Sequence, residues 1–211
     1  MKALFLVGML TCGFWVCGAD APKPDPRLNA DTVVWAGLDY SMVRMIGPGD
    51  FGNPDAIFPA MPESWNRLFV RERLGSLARE LNKRVVADVG GMTNRNRLAG
   101  PKQVIPSGGP DDVVGKSHIT PQDIADAVKS YELENKTGLG LVFIVDRLVK
   151  PSQTGAIYAV YFDLATREVL AAERKIGWAG GNGFRNYWFG VVKMVAADLA
   201  GGQSFKAPRQ R

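Results

Sequence analysis

Three strand-like runs follow one another in the second half of the chain, and they constrain its fold more than any other feature. They occupy residues 140–150, 155–163 and 168–178, and each is rich in β-branched, aromatic and other apolar residues. The connections at 151–154 and 164–167 are far shorter than the crossover of about a dozen residues that parallel neighbours require. The runs are therefore predicted to form an antiparallel meander, onto which the rest of the chain must pack.

Two further strands are predicted ahead of this meander. Residues 32–40 are apolar at consecutive positions, which is typical of a strand that is covered on both faces. Residues 84–89 have the pattern of a shorter strand, which the glycine pair Gly90 and Gly91 ends. The chain therefore supplies five strands.

Three helices are predicted as well. In residues 64–82 the apolar side chains recur at three- and four-residue steps, and Asn82 is a suitable end for such a helix. A second helix is expected to begin at Thr120, because Thr is a good N-cap residue and Pro121 follows at the first helical position. The last helix is predicted over residues 184–200, with Trp188 in its buried stripe.

In chain order these elements are β-α-β-α-β-β-β-α. This order predicts an α/β (α+β) fold, in which helices pack on a mixed five-stranded sheet. We expect one globular domain over residues 32–200, a linker at 20–31 and a polar tail at 201–211.

Two segments do not fit a compact core. Residues 47–62 and 90–119 are rich in Gly, Pro and Asn, and both are predicted to be long loops. They are either functional covers over the sheet or disordered excursions.

The amino terminus has the layout of a secretory signal. Lys2 precedes an uncharged, largely apolar run at 3–19, and small residues lead into a Pro-rich polar segment. We expect a signal peptide at 1–19, cleaved after Ala19, and a mature chain in the periplasm or outside the cell without a transmembrane segment. An uncleaved anchor is one alternative. A lipid anchor at Cys17 is another, although the bulky residues at 14–16 disfavour it.

Cysteine and charge narrow the range of functions further. Cys12 and Cys17 both lie inside this leader. A mature chain that begins at Asp20 would therefore have no cysteine, which excludes disulfides and thiol catalysis. Lys2 is the leader's only charge, so the mature part carries one unit less than the +5 of the whole chain. Because this charge is mild and the basic residues hardly cluster, we expect no nucleic-acid partner.

The meander shows a familiar pattern that includes its second connection. A strand at 141–146 ends in Asp146, and residues 160–170 then lead from the end of the next strand through a Thr-containing turn into a new strand. In topology this resembles a group of bacterial envelope domains: the amino-terminal domain of the translocation protein TolB, the curli-secretion lipoprotein and the lipoprotein activators of penicillin-binding proteins. The resemblance implies a fold for residues 32–200 and a role that depends on protein contacts.

Two strings of residues carry a closer resemblance. They are Gly-Leu-Asp-Tyr-Ser at 37–41 and Gly-x-Ala-Gly-Gly-x-Gly-x-Arg-Asn-Tyr-Trp at 177–188. Together they resemble a family of small uncharacterised secreted proteins, many of them from Bacteroidetes-like bacteria. The family has no established activity, so the resemblance implies a fold and no function.

The second string contains our candidate site, the turn before the last helix. Its glycines follow a strand and open a helix, where backbone N–H groups and the helix dipole can hold an anion. Arg185 lies in the first turn, where a cation opposes the dipole, so we expect an acid to face it: Asp39, Asp163, a bound anion or a partner's carboxylate. The candidate residues for binding an anion or a partner are Gly181, Gly183, Arg185, Asn186 and Asp39. Alternatively, the glycines serve only a tight turn with positive φ.

Signs of catalysis are absent from the sequence. His118 is the only histidine and is expected to be an exposed loop residue, and one histidine without cysteines does not make a typical zinc site. The chain contains no Gly-x-Ser-x-Gly string, and its glycine-rich turn lacks the pattern of a nucleotide site. We therefore predict no catalytic residue, no metal and no cofactor.

These observations favour an exported envelope protein that acts as a non-catalytic binding or accessory module through contacts with another envelope protein. Two alternatives stay open. One is a protein that binds a small anion or a carbohydrate, and the other is a hydrolase that uses carboxylates alone.

Overall fold

The computed structural model describes residues 29–47, 51, 53–58, 60–100, 104–106 and 115–201. The predicted signal peptide at 1–19, most of the predicted linker and the predicted tail beyond residue 201 lie outside these ranges. None of the described helices has the length and apolar character needed to cross a bilayer.

Seven strands form one mixed sheet in the part of the chain that the structure describes. The strands are β1 (Thr32–Asp39), β2 (Arg44–Ile46), β3 (Arg84–Ala87), β4 (Val104–Ile105), β5 (Leu139–Val149), β6 (Thr154–Asp163) and β7 (Val169–Trp178).

The five longer strands are those predicted from the sequence, and they lie in the order β3-β1-β5-β6-β7. β1 is parallel to both β3 and β5, whereas β5, β6 and β7 are antiparallel to one another. The mixed α/β class and the meander are thus confirmed. Every residue of β5 is buried, as expected for the strand at the centre.

The sheet is larger than the predicted five strands because β2 and β4 extend it. β2 pairs in parallel with the last residues of β5, beyond the point where β1 ends, and β4 pairs with β2. Such short strands have no periodicity that a sequence pattern could reveal.

Six helices are described: α1 (Pro54–Ile57), α2 (Ala60–Glu72), α3 (Leu74–Leu81), α4 (Gly90–Leu98), α5 (Pro121–Lys129) and α6 (Gly183–Gly201). The helix predicted at 64–82 is two helices, α2 and α3, divided at Arg73, where φ is −120°. Backbone hydrogen bonds continue from Phe69 through Arg73 to Leu77, which is why the apolar spacing runs unbroken across the division. Asn82 ends α3 in a left-handed conformation, as predicted.

The two predicted loops are wrong in part, because both contain helices. α1 and the start of α2 fall within 47–62, and α4 and β4 fall within 90–119. α4 escapes the helical pattern because two glycines open it, and because its buried positions are Met92 and a polar residue, Asn96. A buried face made in this way has no apolar periodicity.

The start of α5 is as predicted. The Thr120 hydroxyl accepts a hydrogen bond from the backbone N–H of Asp123, and the Asp123 carboxylate accepts one from the backbone N–H of Thr120. This capping box satisfies two N–H groups at the helix terminus. The side-chain hydrogen bond from Thr120 also lowers the pKa of Asp123.

Both faces of the sheet are covered. On one face α2, α3 and α6 pack on an aromatic core, in which Trp35 stacks on Phe69 with ring centroids 4.1 Å apart. On the other face α4 and α5 bury a smaller cluster that includes Met92 and Val128. Trp188 is only 1% exposed and stacks on Phe51, so the predicted burial of this helix stripe is confirmed.

A β-bulge at the end of β1 decides which side chains face which layer. The pairing with β5 shifts register between Trp35 and Gly37, and Gly37 has a φ of +113°. The shift places Leu38 in the same core as Trp35 and turns Asp39 toward α4 and α5. One inserted residue therefore moves the carboxylate from one face of the sheet to the other.

Candidate functional site

β1 extends past the end of its neighbour β3, so the last residues of β1 have no strand partner on that side. The last paired residues are Trp35 and Ala87, yet β1 continues to Asp39. The side-chain amide of Asn66 fills the place of the missing strand: its oxygen accepts from the N–H of Leu38 at 2.8 Å, and its nitrogen donates to the Leu38 carbonyl at 3.0 Å.

The side chain of Asn96 in α4 also hydrogen-bonds to the unpaired backbone of β1. Its oxygen accepts from the N–H of Tyr40 at 2.7 Å, and its nitrogen donates to the Leu38 carbonyl at 2.8 Å. A Cβ on Gly37 would lie 2.7 Å from the Asn66 oxygen, so both its φ and its neighbours require glycine at that position. Backbone geometry therefore explains the glycine that opens the string at 37–41.

Asp39 is fully buried beneath α4 with both carboxylate oxygens satisfied. Oδ2 accepts from Arg95 Nε at 2.9 Å and from the Tyr131 hydroxyl at 2.9 Å, and Oδ1 accepts from the N–H of Ser41 at 2.8 Å. Burial, together with the charge of Asp39, raises the pKa of Tyr131 well above its ordinary value, so Tyr131 stays a donor.

Arg95 is held in place by three contacts. Besides Asp39, it donates from Nη1 to the Ser130 hydroxyl at 2.7 Å, and its guanidinium carbon lies 5.4 Å from the centre of the Tyr131 ring. Its side chain is 26% exposed. The side chain is thus ordered before anything binds, while part of the guanidinium reaches the surface.

An open cleft lies beside Arg95, between α4 and the segment that follows α5. Its volume is about 410 Å³. Residues on its walls include Ser41, Asn94, Arg95, Leu98, Ser130 and Glu132. We refer to it as the α4 cleft. A second depression of about 580 Å³ adjoins it, shares Gly91, Asn94 and Glu132 with it, and extends to Glu134 and Lys136.

Close packing of backbone forms the wall of the cleft at Gly91. A Cβ on Gly91 would lie 1.8 Å from the carbonyl oxygen of Glu132, whereas a Cβ on Gly90 would meet nothing within 4 Å. The first turn of α4 therefore rests directly on the segment after α5 because residue 91 has no side chain.

The carboxylates around the cleft differ in their surroundings. Asp88 is buried and accepts from the backbone and side-chain nitrogens of Asn135 at 2.9 and 3.0 Å. Glu132 and Glu134 are exposed. No three His, Cys, Asp or Glu side chains in the described ranges converge in a way that could hold a metal ion.

The turn before α6 brings together four of the five predicted site residues. Gly181 and Gly183 have φ angles of +125° and +75°, and both are exposed, as are Arg185 and Asn186. Arg185 Nε lies 3.2 Å from the Asn186 side-chain oxygen. The Arg185 carbonyl accepts from Trp65 Nε1 at 2.8 Å.

The glycines around this turn have a packing role. The N–H of Gly180 donates to the Tyr187 carbonyl at 2.8 Å, and a Cβ on Gly190 would lie 2.7 Å from the Gly180 nitrogen. A Cβ on Gly177 would similarly lie 2.6 Å from the Val191 carbonyl oxygen. The absence of these side chains lets α6 approach the end of β7 closely.

The predicted acidic partners of Arg185 are wrong. Asp39, the fifth predicted site residue, pairs with Arg95 below α4 instead. Asp163 accepts from the N–H groups of Ala165 and Thr166 within its own turn, and these bonds, above all that from Thr166, lower the pKa of Asp163. The bulge in β1 explains the first error, because a strict alternation would have placed Asp39 on the face that α6 covers.

The expectation of an exposed His118 is wrong too. Its Nδ1 lies 2.8 Å from Asp146 Oδ1, its Nε2 lies 2.9 Å from the Met42 carbonyl oxygen, and its side chain is only 18% exposed. His118 therefore ties the segment before α5 to β5 and to the turn after β1.

Asp146 lies at a second bulge, in β5, and gathers several cations. Arg174 of β7 donates to Oδ2 from Nε at 2.8 Å and from Nη2 at 2.5 Å, and Arg147 Nε lies 3.4 Å away. Burial by itself would raise the pKa of Asp146, but hydrogen bonds from His118 and Arg174 and the charges of Arg147 and Arg174 outweigh it and lower the pKa. The adjacent charges at 146 and 147, inside an otherwise apolar strand, are the sequence signal for this cluster.

The fold and the cleft together define a mixed α/β protein with an open polar depression where its parallel strands end. No family model matches the chain, and no curated protein matches it. Among solved structures, the chain is similar to lipoprotein GNA1162 from Neisseria meningitidis at 12% identity and a TM-score of 0.29, and the match covers 82% of this chain and 99% of that one. A TM-score this low carries no argument about fold or function, so the resemblances drawn from the sequence stay predictions.

Proposed function

We propose that this protein is an exported accessory module of the bacterial envelope, and that it binds a partner protein through the α4 cleft. The observation that carries the proposal is the ordered guanidinium of Arg95 at an open surface. Export and the envelope location follow from the leader's sequence pattern, and the binding role follows from the cleft.

An ordered arginine is suited to recognition. The contacts of Arg95 with Asp39 and Ser130 use Nε and Nη1, and neither uses Nη2. Because the side chain is already fixed, a partner's carboxylate or carbonyl would bind it without the usual loss of side-chain entropy. Arginine is also one of the residues most often found to dominate binding energy at protein interfaces.

Leu98 supplies an apolar contact beside this cation. It is 75% exposed, the highest value among the large hydrophobic residues that the structure describes. A single exposed leucine is ordinary, but this one lies on the wall of the same cleft as Arg95. The combination of an ordered charge with an adjacent apolar side chain is typical of a protein contact.

The mixed charge of the surface favours a polypeptide over a small anion. Glu132 lies in the cleft with Arg95, and the adjoining depression holds Glu134 with Lys136. A small anion at Arg95 would experience the repulsion of Glu132, whereas a peptide can present both signs of charge.

Site-specific photo-crosslinking in cells tests this proposal. A photoreactive amino acid replaces Leu98 in the full chain, and the control places it at Lys193, an exposed position on α6. We expect a discrete adduct with an envelope protein from position 98 and none from position 193. Absence of any adduct, or the same adduct from both positions, would contradict the proposal.

Affinity measurements with the cross-linked partner then test the role of Arg95. Arg95→Lys keeps a cation next to Asp39 but removes the planar fork, so we expect binding weaker by about 2 kcal/mol with the fold retained. Lys193→Arg is the matched control and is expected to bind as the parent does. Unchanged binding by Arg95→Lys would show that the guanidinium is not part of the contact.

The turn before α6 is a second candidate, for a small anion. The observation that favours it is that the guanidinium of Arg185 has no carboxylate partner within the described ranges and hydrogen-bonds to the Asn186 side chain. Inorganic phosphate is expected to raise the melting temperature of the full chain but not of Arg185→Ala. Equal shifts in both proteins would reject this candidate.

A further inference from the structure

The outer edge of β7 is the most unusual surface outside the cleft. β7 pairs with β6 on one side, and no strand in the described part of the chain pairs with its other side. The remaining edge strands β3 and β4 are much shorter, with four and two residues against the ten of β7. A long open edge presents a row of backbone donors and acceptors to another strand.

The edge of β7 is protected only in part, by the inward charge of Arg174, by Lys175 and by a register shift near Leu170. The strand contains no proline, and two of the three exposed large hydrophobic residues in the described chain, Leu170 and Ile176, lie on it. Proteins usually block such edges with proline, short strands, charges or bulges. At the end of β7 the N–H of Trp178 donates to Met194 of α6, whereas the rest of this long strand keeps an edge open to strand pairing.

We propose that two copies of this chain pair through β7, antiparallel and about a two-fold axis, to form one continuous sheet. In an antiparallel pair, residues that lie directly opposite each other point to the same side of the sheet. The two-fold axis therefore passes between the two copies of one residue of β7, the central residue. The charges of the strand then decide which residue this is.

An axis at Arg174 sets unlike charges opposite each other. Glu173 then faces the partner's Lys175, and the same contact occurs twice because of the symmetry. An axis at Glu173 or at Lys175 would instead set two like charges directly opposite, which is unfavourable. Among the three charged positions of the strand, Arg174 is therefore the centre that sets Glu173 and Lys175 opposite each other.

Neither the central arginine nor the apolar residues oppose this register. The two Arg174 residues lie opposite each other in this register, but each side chain is turned onto Asp146 of its own chain, with contacts of 2.8 and 2.5 Å, so its charge is compensated. Ile176, which is 47% exposed, faces the partner's Ala172 and is covered by the pairing.

Sedimentation velocity on the full chain tests the proposal through paired charge reversals. Glu173→Lys alone and Lys175→Glu alone each set like charges opposite one another, so we expect the dimer dissociation constant to rise about tenfold in each. An equimolar mixture of the two variants is expected to form a dimer as the parent does, because Lys then faces Glu at both contacts. The mixture also shows that each variant is folded.

Lys175 lies 3.4 Å from Glu173 and 3.0 Å from Asp198 of its own chain, so both charge reversals also change contacts within the chain. Ile176→Thr avoids these contacts, keeps a β-branched residue and is expected to weaken the dimer several-fold with an unchanged circular dichroism spectrum. A parent protein that sediments as a monomer over a wide range of concentration would overturn the proposal. So would a dimer whose dissociation constant none of these variants changes.

Discussion

At the scale of single residues, the clearest test lies in two adjacent glycines. Gly90 and Gly91 both open α4, but only Gly91 has a backbone atom, the Glu132 carbonyl oxygen, where its Cβ would be. Gly91→Ala must push α4 away from the segment after α5, which should cost about 1–3 kcal/mol of the free energy of unfolding. Gly90→Ala should instead stabilise the protein by up to about 1 kcal/mol, because alanine is the better helix former.

Urea unfolding of the two variants measures the difference directly. The pair controls for the glycine-to-alanine exchange itself, because both positions lie in the same helical turn. Equal stabilities would mean that α4 does not rest on the backbone of Glu132. We also expect Gly91→Ala alone to change cross-linking from position 98, since the displaced helix forms a wall of the α4 cleft.

The roles of Asn66 and Asn96 are hard to predict from the sequence. Each hydrogen-bonds to the end of β1 across a large separation, 28 residues for Asn66 and 56 for Asn96 from the N–H group it binds. Local patterns give no sign of such contacts. In the same way, Asp39 and Arg95 pair 56 residues apart, so the residue types of the site were visible but their grouping was not.

At the scale of elements, the sequence predicted correctly those strands and helices whose patterns extend over many residues. The five longer strands and α5 and α6 have enough residues to display their periodicity or their caps, and all were predicted. α4 was missed because its buried side includes Asn96, whose role is to complete a strand rather than to enter an apolar core. The candidate cleft was missed with it, because α4 forms one of its walls.

The connection between β5 and β7 gives a prediction for acid stability. The pKa of Asp146 in the folded protein lies below the ordinary value of an aspartate, so its contribution to stability is complete above that ordinary value and is lost as the pH falls through the folded value. Arg174→Met removes the two hydrogen bonds to Oδ2. We expect a loss of about 3 kcal/mol near neutral pH, the low end for a broken buried pair because His118 and Arg147 still face the carboxylate. The acid-unfolding midpoint should move to higher pH.

Denaturant unfolding at a series of pH values checks this, with Arg71→Met as the control. Arg71 pairs with Glu72 on the exposed side of α2, where removal of an ion pair costs less than about 1 kcal/mol. An Arg174→Met protein with the parent's acid midpoint would contradict the assignment of Asp146 as a paired, ionised carboxylate.

At the scale of the whole molecule, the strand order separates the two proposed contacts. The α4 cleft lies where β1 extends past β3, near one edge of the sheet, and β7 forms the opposite edge. Pairing through β7 would therefore leave both clefts of a dimer accessible, at its two outer ends. A dimer of this kind would present two equivalent binding sites to its partner, which would increase apparent affinity for a partner that is itself repeated.

The same strand order predicts how stability is distributed. β5 is buried along its whole length between β1 and β6, whereas β3 and β4 are short edge strands that are half-buried or exposed. Amide hydrogens of β5 should exchange only through global unfolding, and those of β4 should exchange at least about a hundredfold faster through local opening. Hydrogen–deuterium exchange followed by mass spectrometry distinguishes these classes. If dimerisation covers the β7 edge, the outward amides of β7 should become more protected as the protein concentration rises, while those of β4 do not change. Exchange in β4 as slow as in β5 would contradict this hierarchy, and concentration-independent exchange in β7 would count against the pairing of its edge.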